Sequence, residues 1–227
     1  ILIGAEKRIK EQLKNIGLDE NYKIQIVNST DKEKREKYVK HLYKRLQREG
    51  QLERDVDRLI RNDRIAWGAS MIACKDADAM VTGNIRHYAA SIEKLKKVTD
   101  PRPGEEIFGM TMITLKGKTI LVADTNVQDF PSPERLVKVS KSCVRVARLF
   151  GFDPKVAFLS HSTFGKPISK NTKHVRDAID LLKKEKVDFD FDGEMQPDVA
   201  LNPIYQEIYP FSKIVGNANI LIMPALH

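Results

Sequence analysis

Short apolar runs alternate with segments of helical periodicity along most of this sequence. Residues 2–4 and 23–27 have the pattern of short strands, and each is followed by a helical pattern, the first marked by Ile9, Leu13 and Ile16. Two strands separated by a helix pair in parallel through a right-handed crossover. The sequence therefore predicts an α/β fold built mostly from parallel sheets, with residues 79–81 as a further buried strand.

The stretch Asp-Pro-Arg-Pro-Gly at 100–104 breaks this pattern and predicts a junction between subdomains. We expect a first α/β subdomain over 1–100 and a second over 101–227. In the second, the strand-like runs 107–115 and 119–123 flank a Lys-Gly-Lys turn, which predicts an antiparallel hairpin. Further strands are expected at 156–159, 187–191 and 219–223, and helices at 133–150, 173–184 and 200–209.

Charge and composition exclude several classes of protein. The 39 basic and 31 acidic residues give a net charge of +8, but the densest run, 31–37, alternates in sign as on a solvated helix face. We therefore expect no nucleic-acid partner. No run of uncharged apolar residues is long enough for a membrane span, and two cysteines are too few for a disulfide scaffold. These features predict a cytoplasmic protein.

The two ends of the sequence predict a piece of a longer protein. The chain begins with isoleucine rather than methionine, and a strand pattern stands almost at its end. We expect a missing C-terminal segment to complete the first subdomain.

Candidate binding residues follow the predicted strands, because ligands of open α/β sheets bind beyond the carboxyl ends of the strands. The loop 160–166 could offer hydroxyls, backbone amides and a cation to a phosphate, although the spacing of a P-loop is absent. Asp192 and Glu194 flank a glycine and could act as bases, bind a metal or only brace loop amides. With no histidine at ligand spacing, no metal site is predicted. The expected contacts of a phosphate-bearing ligand are Thr82, Gly83, Arg86, His87, Ser160, Ser162, Thr163, Gly165, Lys166, Asp192 and Glu194.

Several segments together resemble the phosphate acetyl/butyryltransferase family. They are Asp-Ala-Asp-Ala-Met-Val-Thr-Gly at 76–83, Val-Ala-Asp-Thr at 122–125, and the stretches 156–165, 191–203 and 216–224. The resemblance is closer to the transferase-like C-terminal domain of bacterial NADP-dependent malic enzymes. The segments typical of that branch are 43–48, 62–64, 100–104, 209–212 and the ending 223–227.

The resemblance implies two α/β subdomains with a cleft between them, an architecture related to isocitrate and isopropylmalate dehydrogenases. It also implies acetyl-CoA or another acyl-CoA as ligand, lying between the 82–83 turn and the two second-subdomain segments, and a homodimer or higher homo-oligomer. In the malic-enzyme branch the domain regulates malate oxidation, with NADP and Mg or Mn in a missing N-terminal part and no cofactor in this piece. In the transferases the domain moves an acyl group between CoA and phosphate.

The sequence departs from the transferases in two places. After the Thr82-Gly83 turn the transferases carry an arginine followed by proline, whereas residues 91–95 here read Ser-Ile-Glu-Lys-Leu. The transferases' Ser-Arg pair and catalytic aspartate lie beyond the point where this sequence stops. We therefore assign no catalytic residue and favour the regulatory interpretation, with an active acyltransferase as the alternative.

Overall fold

A computed structural model divides the chain into two compact units, Ile1–Asp100 and Pro101–His227. It describes residues 1–18, 23–83, 86–125, 130–165 and 170–224, and only the backbone of Lys170, Asn171 and Gln206. No helix among these residues is long and apolar enough to cross a membrane.

The described residues of the first unit form a small parallel sheet and five α-helices. Strands β1 (Leu2–Ile3) and β2 (Ile26–Val27) pair in parallel, with Leu2 opposite Ile26. The helices are α1 (Glu6–Asn15), α2 (Lys32–Leu46), α3 (Glu53–Asn62), α4 (Arg64–Ala73) and α5 (Tyr88–Val98), and a 3-10 turn (Gln47–Glu49) extends α2.

Helix ends in this unit have local causes. Asp31 caps α2 by accepting the Lys34 backbone N–H over 3.1 Å. Gly50 ends the 3-10 turn in the left-handed conformation, with φ of 79°, which glycine adopts without steric cost. The core forms where α2, α3 and α4 meet, and its two largest buried side chains, Tyr38 and Trp67, pack edge to face with ring centroids 5.0 Å apart.

The expected buried strand at residues 79–81 is wrong. This stretch pairs with no strand in the described part of the chain, and Val81 is fully exposed. Met80 instead lies against Gly68 of α4. A three-residue apolar run carries no periodicity of its own, so packing on a helix satisfies Met80 as well as a sheet would. Thr82 and Gly83 therefore do not follow a strand.

The second unit contains a five-stranded mixed sheet. Its strands are β3 (Met110–Leu115), β4 (Lys118–Ala123), β5 (Lys155–Leu159), β6 (Asp190–Met195) and β7 (Ile220–Ile222), in the order β3-β4-β7-β5-β6. β3 and β4 form the predicted antiparallel hairpin, and the remaining pairs are parallel. The predicted class, α/β with parallel sheets and one hairpin, is confirmed.

Side chains of β5 and β7 alternate between two cores, as the period of two along a strand requires. Val156 and Phe158 pack under helices α6 (Pro133–Leu149) and α7 (Lys170–Glu185). Ala157 and Leu159 face the other side, where the short helix α8 (Pro197–Leu201) and residues 214–218 cover the sheet. Both faces of the parallel strands are thus buried.

One strand and one helix have boundaries that differ from those predicted from the sequence. The strand expected at 187–191 runs over Asp190–Met195, so Asp192 and Glu194 lie within β6 rather than beyond it. The helix expected at 200–209 is replaced by α8 and a 3-10 turn, Pro203–Gln206, because Pro203 lacks the N–H that would continue the helix.

Candidate functional site

The loop at residues 160–165 follows β5 at the carboxyl edge of the parallel strands. Ser160 and Ser162 are buried, whereas Thr163 and Gly165 are half-buried and His161 is exposed. The Ser160 N–H donates to the Met195 carbonyl over 3.0 Å, which ties the start of the loop to the end of β6. The loop thus lies at the edge where α/β proteins bind ligands.

Glu194 forms hydrogen bonds with this loop and is only 1% exposed. Its Oε1 accepts the Ser162 hydroxyl over 3.2 Å and the Gly165 N–H over 3.3 Å. Its backbone carbonyl accepts the Phe164 N–H over 2.9 Å. Oε2 faces Arg176 of α7, whose Nε lies 2.9 Å away. The carboxylate therefore holds one loop amide and one loop hydroxyl in place; bracing of loop amides is one of the roles that the sequence left open.

Two further contacts close the loop. The Gln196 N–H donates to Thr163 Oγ1 over 3.1 Å, and Gln196 Nε2 donates to the His161 carbonyl over 2.8 Å. A nearby aromatic cluster consists of Phe164, Tyr209 and Phe211, in which the Phe164 ring lies 5.0 Å from that of Phe211. The loop conformation is therefore held from β6 and from residues 209–211.

Asp192 serves a different segment. Its Oδ1 accepts the Gly193 N–H over 2.9 Å, and its Oδ2 accepts the Lys213 N–H over 2.8 Å. Gly193 has φ of 146°, and a Cβ there would stand 2.6 Å from the Phe158 carbonyl oxygen. Only glycine fits this close approach of β6 to β5.

At the end of β4, Asp124 is buried and paired with Arg135 of α6. Asp124 Oδ2 accepts Arg135 Nη2 over 2.9 Å, and Oδ1 accepts the Gly109 N–H over 2.6 Å. Arg135 also donates to the Ile107 carbonyl over 2.7 Å and forms an ion pair with Glu106. This network fixes the hairpin to the start of α6.

At the end of β7, the Pro224 carbonyl lies 3.2 Å from Nε2 of His174 on α7. His174 is 7% exposed, and its ring packs against that of Phe130 with centroids 4.5 Å apart and the planes tilted by 43°. Sequence reasoning missed Arg135, His174 and Arg176, because each sits in an ordinary helical pattern with no motif around it. Only the tertiary structure brings these helix side chains to the strand ends.

In the first unit, the predicted cation Arg86 is held by Asp63, the N-cap of α4. Arg86 Nη1 donates to Asp63 Oδ2 over 2.7 Å, and Lys94 of α5 pairs with the same oxygen. Asp63 Oδ1 accepts the Ile65 and Ala66 N–H groups over 2.8 and 3.1 Å. Burial by itself would raise the pKa of Asp63, but the donors from Lys94, Arg86 and the backbone together lower it to about 2.

The remaining predicted residues are three that the structure describes and one that it does not. Thr82, Gly83 and His87 are exposed, and His87 is the N-terminal cap position of α5, where its carbonyl accepts the Ser91 hydroxyl over 3.1 Å. Lys166 lies outside the described residues. The ligand contacts of all the predicted residues stay predictions. Within the described ranges, no group of three or more His, Cys, Asp or Glu side chains could hold a metal ion.

Comparison with known proteins identifies the family to which a chain with this fold belongs. The sequence profile described as phosphate acetyl/butaryl transferase matches residues 1–227. The chain therefore belongs to that family, as the resemblance of its motifs indicates.

Among the curated relatives, the NADP-dependent malic enzyme of Rhizobium meliloti is 43% identical over 228 residues, which are 100% of this chain and 30% of the relative. The NADP-dependent malic enzyme of Escherichia coli is 31% identical, over 99% of this chain and 30% of the relative. A phosphate acetyltransferase of Nitratidesulfovibrio vulgaris is 28% identical, over 100% and 32%. The chain thus spans about a third of the length of these proteins.

Solved structures agree on the fold. A phosphotransacetylase from Streptococcus pyogenes superposes with a TM-score of 0.83 and 25% identity, over 100% of this chain and 69% of the other. The EutD phosphotransacetylase from Staphylococcus aureus gives a TM-score of 0.79 at 24% identity, with the same coverage. The α/β architecture is that of phosphotransacetylases.

Proposed function

We propose that this chain is the acyl-CoA-binding part of an NADP-dependent malic enzyme, in which acetyl-CoA regulates malate oxidation carried out elsewhere in the same protein. The observation that supports this proposal most is the 43% identity to a malic enzyme, against 28% to a phosphate acetyltransferase. NADP and Mg or Mn would belong to the rest of the protein, and the assembly would be a homodimer or larger in the cytoplasm.

The chemistry of the loop at residues 160–165 supports an anionic ligand. Coenzyme A carries several phosphate charges, and α/β proteins bind such ligands at loops that follow the carboxyl ends of parallel strands, as residues 160–165 do. The Glu194 carboxylate beneath the loop is compensated by Arg176, so the loop carries no unbalanced negative charge. The net charge of +8 favours the approach of an anion.

The first unit supports regulation rather than catalysis. Acyl transfer to phosphate needs cations that stabilise a developing oxyanion. Arg86 and Lys94 stand near the position where the resembled transferases carry an arginine, and both are paired with Asp63. Glu93 adds an acidic side chain and pairs with Lys97 over 3.3 Å. Both cations are thus already engaged by the same carboxylate, that of Asp63.

A second candidate is an active phosphate acyltransferase, supported by the match to phosphate acetyltransferases over the whole chain. A general base would remove the proton from the coenzyme A thiol, and cations and amides would stabilise the tetrahedral oxyanion during attack. The two candidates differ in one measurable product, acetyl phosphate.

The deciding experiment uses the full-length protein. We expect acetyl-CoA to bind by isothermal titration and to change the rate of NADP-linked malate oxidation, with no acetyl phosphate formed from acetyl-CoA and phosphate. Acetyl phosphate formation at a catalytic rate would establish the second candidate instead. An absence of both binding and transfer would refute both.

A pair of lysine variants locates the ligand. Lys166→Ala should weaken acetyl-CoA binding about tenfold, which corresponds to ~1.4 kcal/mol. Lys183→Ala is the control, because Lys183 lies in the last turn of α7 and pairs only with Asp180 among the described side chains, over 3.1 Å. Equal acetyl-CoA affinities for the two variants would show that the ligand binds away from this loop.

A further inference from the structure

We infer that Arg176 and Glu194 act as a positioning pair that holds the loop at residues 160–165 in its ligand-binding form. Neither side chain needs to touch the ligand. The inference rests on the proposed function, since it concerns the affinity of the same loop for acyl-CoA. It adds Arg176, a residue of α7 that no sequence motif singles out, to the groups that determine that affinity.

The loop conformation depends on Glu194 at three points. The carboxylate Oε1 accepts from the Ser162 hydroxyl at 3.2 Å and from the Gly165 N–H at 3.3 Å. The Glu194 carbonyl accepts from the Phe164 N–H at 2.9 Å. These contacts involve side chain and backbone of one buried residue, so the position of Glu194 determines where the loop amides and the hydroxyl point.

Phe164 shows that the loop needs such support. Its φ of 46° lies in the left-handed region, which a bulky residue adopts only when its surroundings compensate the cost. The compensating contacts are the Phe164 N–H bond to Glu194 and the ring contacts with Tyr209 and Phe211. Loss of the first contact should release the loop toward ordinary backbone angles.

Arg176 compensates the negative charge of the buried Glu194 carboxylate. Its Nε lies 2.9 Å from Oε2, an ion pair rather than an aligned hydrogen bond, and its Nη2 donates to Thr172 Oγ1 over 2.8 Å. Thr172 is fully buried near the start of α7. A carboxylate that is buried without a cation is strongly destabilised. Removal of Arg176 should therefore change the position of the Glu194 side chain, and the loop that is hydrogen-bonded to it should change its conformation.

The same pair controls the charge that an anionic ligand meets. With Arg176 present, the negative charge of Glu194 is balanced directly beneath the loop amides. Without Arg176, a phosphate bound at this loop would face an uncompensated carboxylate. Both effects, loop order and charge, weaken the binding of an anion, and removal of the carboxylate reverses the second one.

The test compares four variants of the full-length protein by acetyl-CoA titration. Arg176→Met should weaken binding at least tenfold, and Arg176→Lys should recover part of that loss because it keeps the cation. Glu194→Gln keeps an acceptor for the loop and should lose less than Arg176→Met. The double variant Arg176→Met/Glu194→Gln should bind more tightly than Arg176→Met alone, because the uncompensated charge is gone. Arg148→Met is the control, since Arg148 forms an exposed pair with Asp188 at 3.0 Å.

Hydrogen exchange of backbone amides separates positioning from general destabilisation. In Arg176→Met, the amides of Phe164 and Gly165 should exchange faster while the β5 amide of Phe158 stays protected. Unchanged acetyl-CoA affinity in Arg176→Met, or faster exchange across the whole second unit, would overturn the inference. If the unmodified protein bound no acetyl-CoA, the proposed function would fail, and exchange at Phe164 and Gly165 would still decide whether the pair positions the loop.

Discussion

Arg86 donates from Nη1 to Oδ2 of Asp63 over 2.7 Å, so the cation that follows the Thr82-Gly83 turn is anchored to the helix cap of α4. Asp63 accepts two backbone N–H groups with its other oxygen. One buried carboxylate therefore joins the start of α4 to Arg86 and to α5. The segment at residues 62–64, which resembles the malic-enzyme branch, thus has a structural role in the first unit.

The stability of the first unit should depend on pH through Asp63. Its pKa is about 2 in the folded state against an ordinary 3.8, so the unfolded chain takes up a proton more readily. The stabilisation, about 1–2 kcal/mol after solvent screening, is complete above pH ~5 and is lost as the pH falls from about 4 toward 2. Urea unfolding followed by fluorescence of Trp67, the single tryptophan, measures it.

The variant Asp63→Asn should lower stability at pH 6, and this deficit should shrink as the pH falls toward 2. Asparagine still caps a helix, so the cap is retained and only the ion pairs are lost. Asp78→Asn is the matched control, because Asp78 is exposed. A deficit that stayed constant from pH 6 to pH 2 would contradict the assignment of the ion pairs to Asp63.

Substitution of Gly193 should destabilise the second unit. In Gly193→Ala the new Cβ would stand 2.6 Å from the Phe158 carbonyl oxygen, on a backbone with φ of 146°. Such a clash with backbone should cost about 2 kcal/mol or more. Gly165→Ala is the control, because its Cβ would meet nothing within 4 Å. Urea unfolding by circular dichroism should separate the two variants, and equal midpoints would count against the geometry of β5 and β6.

Breaking the buried ion pair of Asp124 and Arg135 should lower the free energy of unfolding more than breaking the exposed pair of Arg148 and Asp188. Asp124 is 7% exposed, so Arg135→Met leaves a buried carboxylate without its cation and should cost about 3 kcal/mol. Asp124→Asn should cost less, because the amide oxygen still accepts the Gly109 N–H. Arg148→Met, at an exposed pair, should change the free energy of unfolding by less than 1 kcal/mol. A loss in Arg148→Met as large as that in Arg135→Met would contradict this ranking.

The two thiols should report on the two units separately. Cys143, a residue of α6, is fully buried in the core of the second unit, and this burial raises the pKa of its thiol to about 12. Burial also raises the pKa of Cys74, the half-buried C-cap of α4. With a thiol reagent at pH 8, Cys74 should react first and Cys143 only after the second unit unfolds.

Cys74→Ser provides the control for thiol labelling, because it leaves Cys143 as the single thiol. This variant should show no fast labelling in the absence of denaturant. Rapid reaction of Cys143 in the folded variant would show that the core under α6 opens without global unfolding.

The local patterns of the sequence determined the helices, the hairpin and most of the strands. Helices such as α2 and α6 carry apolar residues at helical spacing and a capping residue, Asp31 or Ser132, and these signals act within a few residues. The three-residue run at 79–81 was too short for periodicity to separate a strand from a loop packed on a helix. The family followed from the order of the motifs.

Only the tertiary structure decided how the candidate site is built. The last strand, β7, inserts between β4 and β5, and nothing near Ile220–Ile222 in the sequence encodes its neighbours. The position of Glu194 inside β6 and its pairing with Arg176 likewise depend on how α7 packs over the sheet. Local propensity determines which elements form, whereas burial and charge compensation across distant elements determine which side chains meet at the strand ends.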